Sequence, residues 1–288
     1  MALDTSPAAR MAAQRYRLPD DFTPRYTPDE IRAYVSEHPS WALDHMFSTL
    51  PPGLELHGMR VLDVGCGVTL QVLGLIEKHH IGDYHGIDPD PDSFHGGHNE
   101  YDQYVGYKHA LVHYYPQRIT FYKSIAEAMP FPDDYFDFAF ASLTTEHVQD
   151  IDGMCREVRR VLKPGAYFYA RHHNFYAWDG HHQGPYFVRD LPLCSMEQMR
   201  FQRWRHIDMD YDWREPHHLN RITIRELEAA FRASLRVITW INGYTSPERG
   251  VNFLTDEILA EFAGRYDYED LATTSIDVLA KKDGAGIS

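Results

Sequence analysis

What most constrains this chain is a repeating alternation of short apolar or aromatic runs with longer amphipathic stretches. Residues 60–64, 83–88, 119–122, 135–142 and 166–172 read as strands. Between them lie helical patterns: one after Gly67 with Leu70, Leu73 and Ile76 apolar at i, i+3 and i+6, a polar, aromatic-rich one over 94–114, and one over 152–162 stopped by Lys163-Pro164-Gly165. Such alternation builds a parallel sheet with helices on both faces. No apolar run approaches the roughly 18 residues of a membrane span, so none is expected.

The ends of the chain depart from the pattern. Residues 1–25 show no apolar periodicity and no apolar centre of a secretory signal, and are expected to form a frayed arm. Thr27-Pro28-Asp29-Glu30 starts a helix with an N-cap residue, Pro at the first helical position and early acids, and a second short helix is expected over 40–49. After the fifth strand regularity lapses over 174–222, too long for an ordinary connection, and this segment reads as an insertion covering a site. Thr223 and Glu226 have the spacing of a capping box. A strand over 235–241, a second insertion over 242–270 containing a helix at 255–263, and a strand over 273–280 complete the chain. The organisation expected is therefore 1–50 arm and cap helices, 51–173 binding core, 174–222 lid, and 223–288 the rest of the core.

Lys and Arg number 28 against 42 Asp and Glu, a formal charge of −14, which disfavours a nucleic-acid partner. The three cysteines, Cys66, Cys155 and Cys194, form no CxxC pair, so neither a disulfide framework nor a thiolate zinc site is indicated and a reducing cytoplasm is expected. The surplus lies in 18 histidines and 19 tyrosines. Seven of the 18 histidines fall between His172 and His218.

The unit Val61-Leu62-Asp63-Val64-Gly65-Cys66-Gly67 reads as a strand closed by a glycine turn. Glycines let the backbone approach a ligand without a Cβ in the way. Asp63 lies just inside the strand end, where an acid can meet a cationic group above the turn. Asp88 ends the next strand in His85-Gly86-Ile87-Asp88, where an acid commonly takes ribose hydroxyls; both acids point to the crevice at the carboxyl ends of the strands. The dinucleotide pattern GxGxxG is not met, because Leu70 occupies the last glycine position, which moves weight from an NAD-dependent oxidoreductase to a cofactor lacking phosphate.

At these residues the chain resembles the class I S-adenosylmethionine-dependent methyltransferases. Further resemblance lies in the stretch from Ala126 through Pro130-Phe131-Pro132 to Asp137, in Glu146-His147-Val148, in the run from Glu157 to Gly165, and in Ser275-Ile276-Asp277-Val278. The resemblance implies a Rossmann-like α/β fold: a seven-stranded, mostly parallel sheet with helices on both faces, an N-terminal helical arm and a lid insertion after the fifth strand. It implies S-adenosyl-L-methionine as cofactor, with Asp63, Gly65 and Gly67 at the methionine end, Asp88 on the ribose, Ile125 and Ala126 on the adenine, and Ser142 below the sulfonium. Thr69 stands where the family often has a third glycine, and Ile125 replaces a frequent Asp, leaving Ser124, Glu127 or backbone for adenine N6.

The implied function is methyl transfer to a small-molecule acceptor, with oxygen favoured and nitrogen or carbon open. A non-methylating S-adenosylmethionine-binding protein and a nucleic-acid methyltransferase are rival readings. Transfer to oxygen requires a proton acceptor, and histidine suits that task because its ordinary pKa lies near 6.5. His147, His173, His182 and His217 are the candidates, with Tyr176 beside them in the insertion. His172 and His173 alternate along a strand, so one of the two faces away from the site. Imidazoles with Asp179, Asp208 or Asp210 would suit zinc or iron, but no two of these histidines show HxH or HxxxH spacing, and no metal ligands are assigned.

Phe175, Tyr176, Trp178, Tyr186, Phe187, Trp204, Tyr211 and Trp213 make the insertion aromatic, which suits a planar or partly apolar acceptor or a second small core. The resemblance implies that Tyr16, Tyr26, Tyr34 and Trp41 of the N-terminal arm can close over the same site, as the family's arms often do. Arg200, Arg203, Arg205, Arg214, Arg221 and Arg225 suit either a solvated face or an acidic acceptor. A homodimer is compatible with these features.

Overall fold

Val61, Leu62 and Val64 have no exposed surface in β1 (Arg60–Val64), because this strand is covered on both faces. The computed structural model describes residues 6–37, 41–67, 71–91, 101–184, 187–212 and 219–284. It places β1 in one sheet with β2 (Asp83–Asp88), β3 (Ile119–Lys123), β4 (Phe136–Ser142), β5 (Leu162–His173), β6 (Arg236–Tyr244) and β7 (Thr273–Lys281). The order is β3-β2-β1-β4-β5-β7-β6. Strands β1 to β5 run parallel, and β7 lies antiparallel to both β5 and β6. The order reverses between β1 and β4, the position where open α/β sheets part at their carboxyl edge and bind ligands.

The helices are α1 (Pro7–Gln14), α2 (Pro28–Glu37), α3 (Trp41–Thr49), α4 (Gln71–Glu77), α5 (Tyr101–Tyr114), α6 (Ile151–Val161), α7 (Met196–Met199), α8 (Ile224–Ser234), α9 (Asp256–Phe262) and α10 (Tyr268–Ala272). On one face Met154 and Val158 of α6 and Leu227 and Phe231 of α8 pack against Leu62, Val64 and Ala139. On the other, Ile31, Leu43, Val72 and Leu111 pack against Val61, Phe121 and Phe138. The expected two-faced sheet is therefore present. The Thr223–Glu226 capping box forms at the start of α8. Among the described residues no helix is long and apolar enough to cross a membrane.

Three expectations change. Instead of fraying, the described part of the N-terminal segment forms α1 and then docks on the sheet edge: the Tyr16 amide donates to the Phe121 carbonyl at 2.8 Å and Arg15 bridges to Tyr122. Open backbone groups on β3 attract it, and covering an edge in this way removes a template for aggregation. Strand β5 starts at Leu162 rather than 166, because Leu162 pairs with Phe136 ahead of an irregularity in the ladder.

Most of the insertion's aromatics, finally, form a core of their own. Phe175, Tyr176, Trp178, Phe201 and Trp204 pack with Phe262 and Leu271 from the second insertion. Tyr186 and Trp213 lie outside the described residues.

Candidate functional site

The turn after β1 is held from three sides. The Gly65 and Cys66 amides donate to the Ile87 carbonyl at 2.8 and 3.0 Å, which fastens the turn to β2. Gly65 has φ +75°, and a Cβ there would stand 2.0 Å from Thr144 Cγ2, so only glycine lets the loop after β4 lie across the turn. Thr144 Oγ1 donates to the Gly65 carbonyl at 3.2 Å. Lys108 of α5, fully buried, donates through Nζ to the Gly67 carbonyl at 2.8 Å and to the Pro91 carbonyl.

Asp88 stands at the mouth of this turn. One carboxylate oxygen accepts from the Gly67 amide at 3.1 Å and the other from the Asp90 amide at 2.9 Å, so the acid is preset in orientation and remains partly accessible. The Ser124 amide donates to the Asp88 carbonyl at 3.0 Å, which brings the end of β3 beside the acid. Ile125 there is 48% exposed, an apolar side chain facing outward next to buried Ala126. An anchored acid and an adjacent apolar surface are what a ribose and a base require. Ser142 ends β4 opposite Arg171 of β5. Asp63, just inside the end of β1, is 2% exposed and accepts from the Tyr84 hydroxyl at 2.6 Å. Burial pushes its carboxyl up to about 7, the Tyr84 bond working against this and the charge of Asp88 adding to it. Thr69 and Leu70 lie outside the described residues.

A second cluster occupies the carboxyl ends of β4 and β5. Glu146 and His147 sit on a single helical turn, Thr145–His147, directly after Thr144. Asn220, at the far end of the insertion, clamps this turn: its Nδ2 donates to the Thr145 and Val148 carbonyls, both at 2.7 Å, and its amide donates to the Glu146 carbonyl at 2.9 Å. His173 ends β5, with Nδ1 2.6 Å from Nε2 of His182 and Nε2 3.5 Å from Asp179 Oδ1. Arg249 donates to Asp179 Oδ2 at 3.0 Å. The His147 ring packs edge-on against His182, with centroids 5.3 Å apart. His182 itself has φ +55°, an uncommon conformation for a residue other than glycine.

Electrostatics distinguish the members. Burial alone would lower the His173 ring, but the facing carboxylates of Asp179 and Glu146 raise it above its ordinary value. Burial would raise Asp179, yet His173 and Arg249 hold it below the usual carboxylate range. Burial pushes Glu146 up to about 7, the His173 ring and nearby backbone amides acting the other way. His172 is the ring turned to internal use: it bonds to Thr145 Oγ1 at 2.9 Å, and burial lowers it to about 3.

Of the histidines named from the sequence, His147, His173 and His182 converge, while His217 lies outside the described residues. Tyr176 takes a different role, its hydroxyl donating to the Arg221 carbonyl at 2.7 Å within the insertion's core. Arg200, Arg203, Arg205 and Arg225 are exposed, and Arg214 lies outside the described residues. Arg221 bonds to the Ile207 carbonyl at 2.9 Å, so it serves the insertion itself. Tyr16 bonds to His109 at 2.7 Å, and Tyr26 and Tyr34 pack edge-on and tilted against Tyr107 of α5, so these arm tyrosines anchor the arm. Lys108, Arg249 and Asn220 carried no local signal in the sequence, since each acts through partners distant in the chain.

A family model described as a methyltransferase domain matches residues 62–170, which include Asp63, the glycine turn, Asp88, Ser142 and Glu146-His147. This span of the chain is a methyltransferase domain. The cofactor of such domains is S-adenosylmethionine. Similar curated proteins include a sterol 24-C-methyltransferase of Aspergillus fumigatus, 32% identical over 114 residues, covering 38% of this chain and 27% of that protein. The cycloartenol-C-24-methyltransferase 1 of Oryza sativa subsp. japonica is 32% identical over 147 residues, covering 51% of this chain and 38% of that protein. The chain spans about a quarter to two fifths of the length of the first such relatives it matches. Among solved structures, the geranyl diphosphate C-methyltransferase of Streptomyces coelicolor A3(2) shares the fold of the methyltransferase domain, with a TM-score of 0.54, 14% identity, and coverage of 90% of this chain and 82% of that one.

Proposed function

We propose that the protein transfers a methyl group from S-adenosylmethionine to an oxygen atom of a small molecule, with His147 taking the acceptor's proton. The observation that carries this reading is the joint between the two clusters. Thr144 bonds to Gly65, and the next three residues form the turn that bears Glu146 and His147, so the cofactor turn and the histidines share one edge of the sheet. Asp88 orients the ribose, Ile125 and Ala126 give the adenine a surface, and Lys108 holds the turn's shape from below.

S-adenosylmethionine supplies an electrophilic methyl group on a sulfonium. The acceptor oxygen forms the new bond to that carbon as the carbon–sulfur bond breaks, and the hydroxyl proton passes to the His147 imidazole. The protein's part is alignment, exclusion of water and removal of the proton. In this reading the insertion, whose aromatic core is its own, serves as the lid over this edge.

A second reading has a carbon acceptor, favoured by the names of the C-methyltransferases to which the chain is similar. The test is incubation with methyl-labelled S-adenosylmethionine and a panel of phenols, hydroxy acids, amines and prenyl lipids, followed by NMR of the product. Methoxy products and a His147→Ala variant that loses turnover while keeping S-adenosylhomocysteine affinity are expected. A C-methyl product, or full turnover in that variant, overturns the oxygen reading. Failure to form S-adenosylhomocysteine with any acceptor points to a non-methylating binding protein.

A further inference from the structure

We propose that Glu146, His173 and His182 form a binding site for one divalent transition-metal ion, zinc or iron(II) by donor type, on the acceptor side of the cleft. Their ligand atoms, one carboxylate oxygen and two ring nitrogens, all lie within 4.8 Å of one another. They come from three separate pieces of chain: the turn after β4, the end of β5 and the insertion.

The strongest argument is Glu146. Its side chain is 2% exposed, and among the described residues neither carboxylate oxygen has a hydrogen-bonding partner of normal geometry. A buried carboxylate without partners is costly unless a cation or a proton answers it. The two rings beside it meet nitrogen to nitrogen at 2.6 Å, a hydrogen bond in which one neutral ring donates to the other. A bound cation would take the place of that proton, the rings parting to the wider spacing that two metal–nitrogen bonds of about 2.0–2.1 Å require, and would answer the Glu146 carboxylate as well. Two imidazoles and a carboxylate are the donors that zinc and non-haem iron(II) take, and three protein ligands leave positions for water or an acceptor oxygen.

The surroundings are those of a ligand set. His173 turns Nδ1 to the cluster and Nε2 toward Asp179, 3.5 Å away, and Arg249 fixes Asp179 in turn. A carboxylate behind a ligating histidine sets its tautomer and raises its basicity. Asn220 fixes the turn that carries Glu146. The uncommon backbone conformation of His182 is of the kind that persists where surrounding structure enforces it, often at functional sites. HxH or HxxxH spacing does not arise, because those patterns describe ligands on one strand or one helix.

The ion deepens the proposed function only in its consequence: beside the cleft it would bind an acceptor oxygen and ease loss of the proton that His147 takes. Binding itself is measured without any acceptor or cofactor. The tag-free chain is stripped with a chelator and titrated with zinc against a chromophoric competitor, and cobalt(II) is added in parallel for its visible absorption. One zinc per chain and a cobalt spectrum of nitrogen and oxygen coordination are expected. His182→Ala and Glu146→Gln lower zinc affinity at least 100-fold, and Asp179→Asn lowers it about 10- to 100-fold. His57→Gln, an exposed ring ahead of the amino end of β1 and so at the opposite edge of the sheet, leaves it unchanged. Circular dichroism checks that each variant is folded, and His182→Ala, altering a partly exposed side chain, decides if Glu146→Gln is not. Substoichiometric binding by the wild type, or undiminished affinity in His182→Ala, overturns the proposal and leaves the cluster held by the hydrogen bond between the rings. Neither result bears on S-adenosylmethionine binding, so the two readings fail separately.

Discussion

His173 Nδ1 and His182 Nε2 lie 2.6 Å apart although the chain between them leaves the sheet and turns back. Asn174 starts that excursion, its Nδ2 donating to the Asp270 and Thr273 carbonyls at 2.6 and 2.7 Å and its Oδ1 accepting from the Tyr176 amide at 3.1 Å. Gly180 closes it by passing directly over the Asn174 and Phe175 carbonyls. A compact turn in the backbone, not the local sequence pattern, therefore makes the pair.

Gly180→Ala is expected to separate the two rings. A Cβ at this position would stand 2.2 Å from the Phe175 carbonyl oxygen, and backbone there cannot yield without moving the turn. A loss of about 1–3 kcal/mol in urea unfolding is expected, as for other overpacked sites. A variant as stable as the wild type, with unchanged histidine NMR shifts, would show that the turn relaxes freely.

Asn220→Ala removes both side-chain bonds to the turn bearing Glu146 and His147. Two carbonyl acceptors each lose one donor, for an expected cost of roughly 1–3 kcal/mol. The turnover number is expected to fall more than S-adenosylhomocysteine affinity, because the clamp acts on the acceptor side. Equal losses in both would place Asn220 in general stability alone.

Stability is expected to depend on pH through buried rings. Burial holds His85 and His172 at about 3 and His206 at about 4, whereas an unfolded histidine titrates near 6.5. Below pH 6.5 the unfolded chain takes up protons that the folded chain refuses, so each ring lowers stability as the pH falls toward its folded value. Asp63 and Glu146, raised to about 7, act oppositely: as the pH rises from the ordinary carboxyl range to about 7, the unfolded chain sheds protons first and stability drops. His206→Gln isolates one ring. Between pH 6.5 and 4 its unfolding free energy is expected to vary less steeply than that of the wild type, by up to about 1.4 kcal/mol per pH unit. Parallel curves would mean that the ring is protonated in the folded state.

The sheet was legible because its signal is local. Apolar runs of strand length and the Lys163-Pro164-Gly165 stop place β1 to β4 within a residue or so of their observed bounds, and the glycine turn with Asp88 follows from strand ends alone. Less legible was anything set by long-range pairing. The aromatics of 174–222 have no periodicity because they pack against Phe262 and Leu271 from another insertion. Lys108 reads as one more polar residue of an aromatic helix until Gly67 and Pro91 are placed above it. The histidine surplus falls in the segment that supplies His173 and His182, but their convergence with His147, Glu146 and Asp179 required three chain segments to be brought together.

The central claim is that the turn at Gly65 and Gly67, with Asp88 set into it, holds S-adenosylmethionine. Calorimetric titration with S-adenosylhomocysteine tests it most directly. Asp88 makes two charge-assisted bonds to loop amides, at 3.1 and 2.9 Å, and its removal forfeits these as well as the proposed contact to the ribose. One site per chain is expected in the wild type, and Asp88→Ala is expected to bind at least tenfold more weakly, consistent with about 1.5–3 kcal/mol for bonds to a charged group. A wild-type chain that releases no heat of binding, or an Asp88→Ala variant with undiminished affinity, would contradict the account.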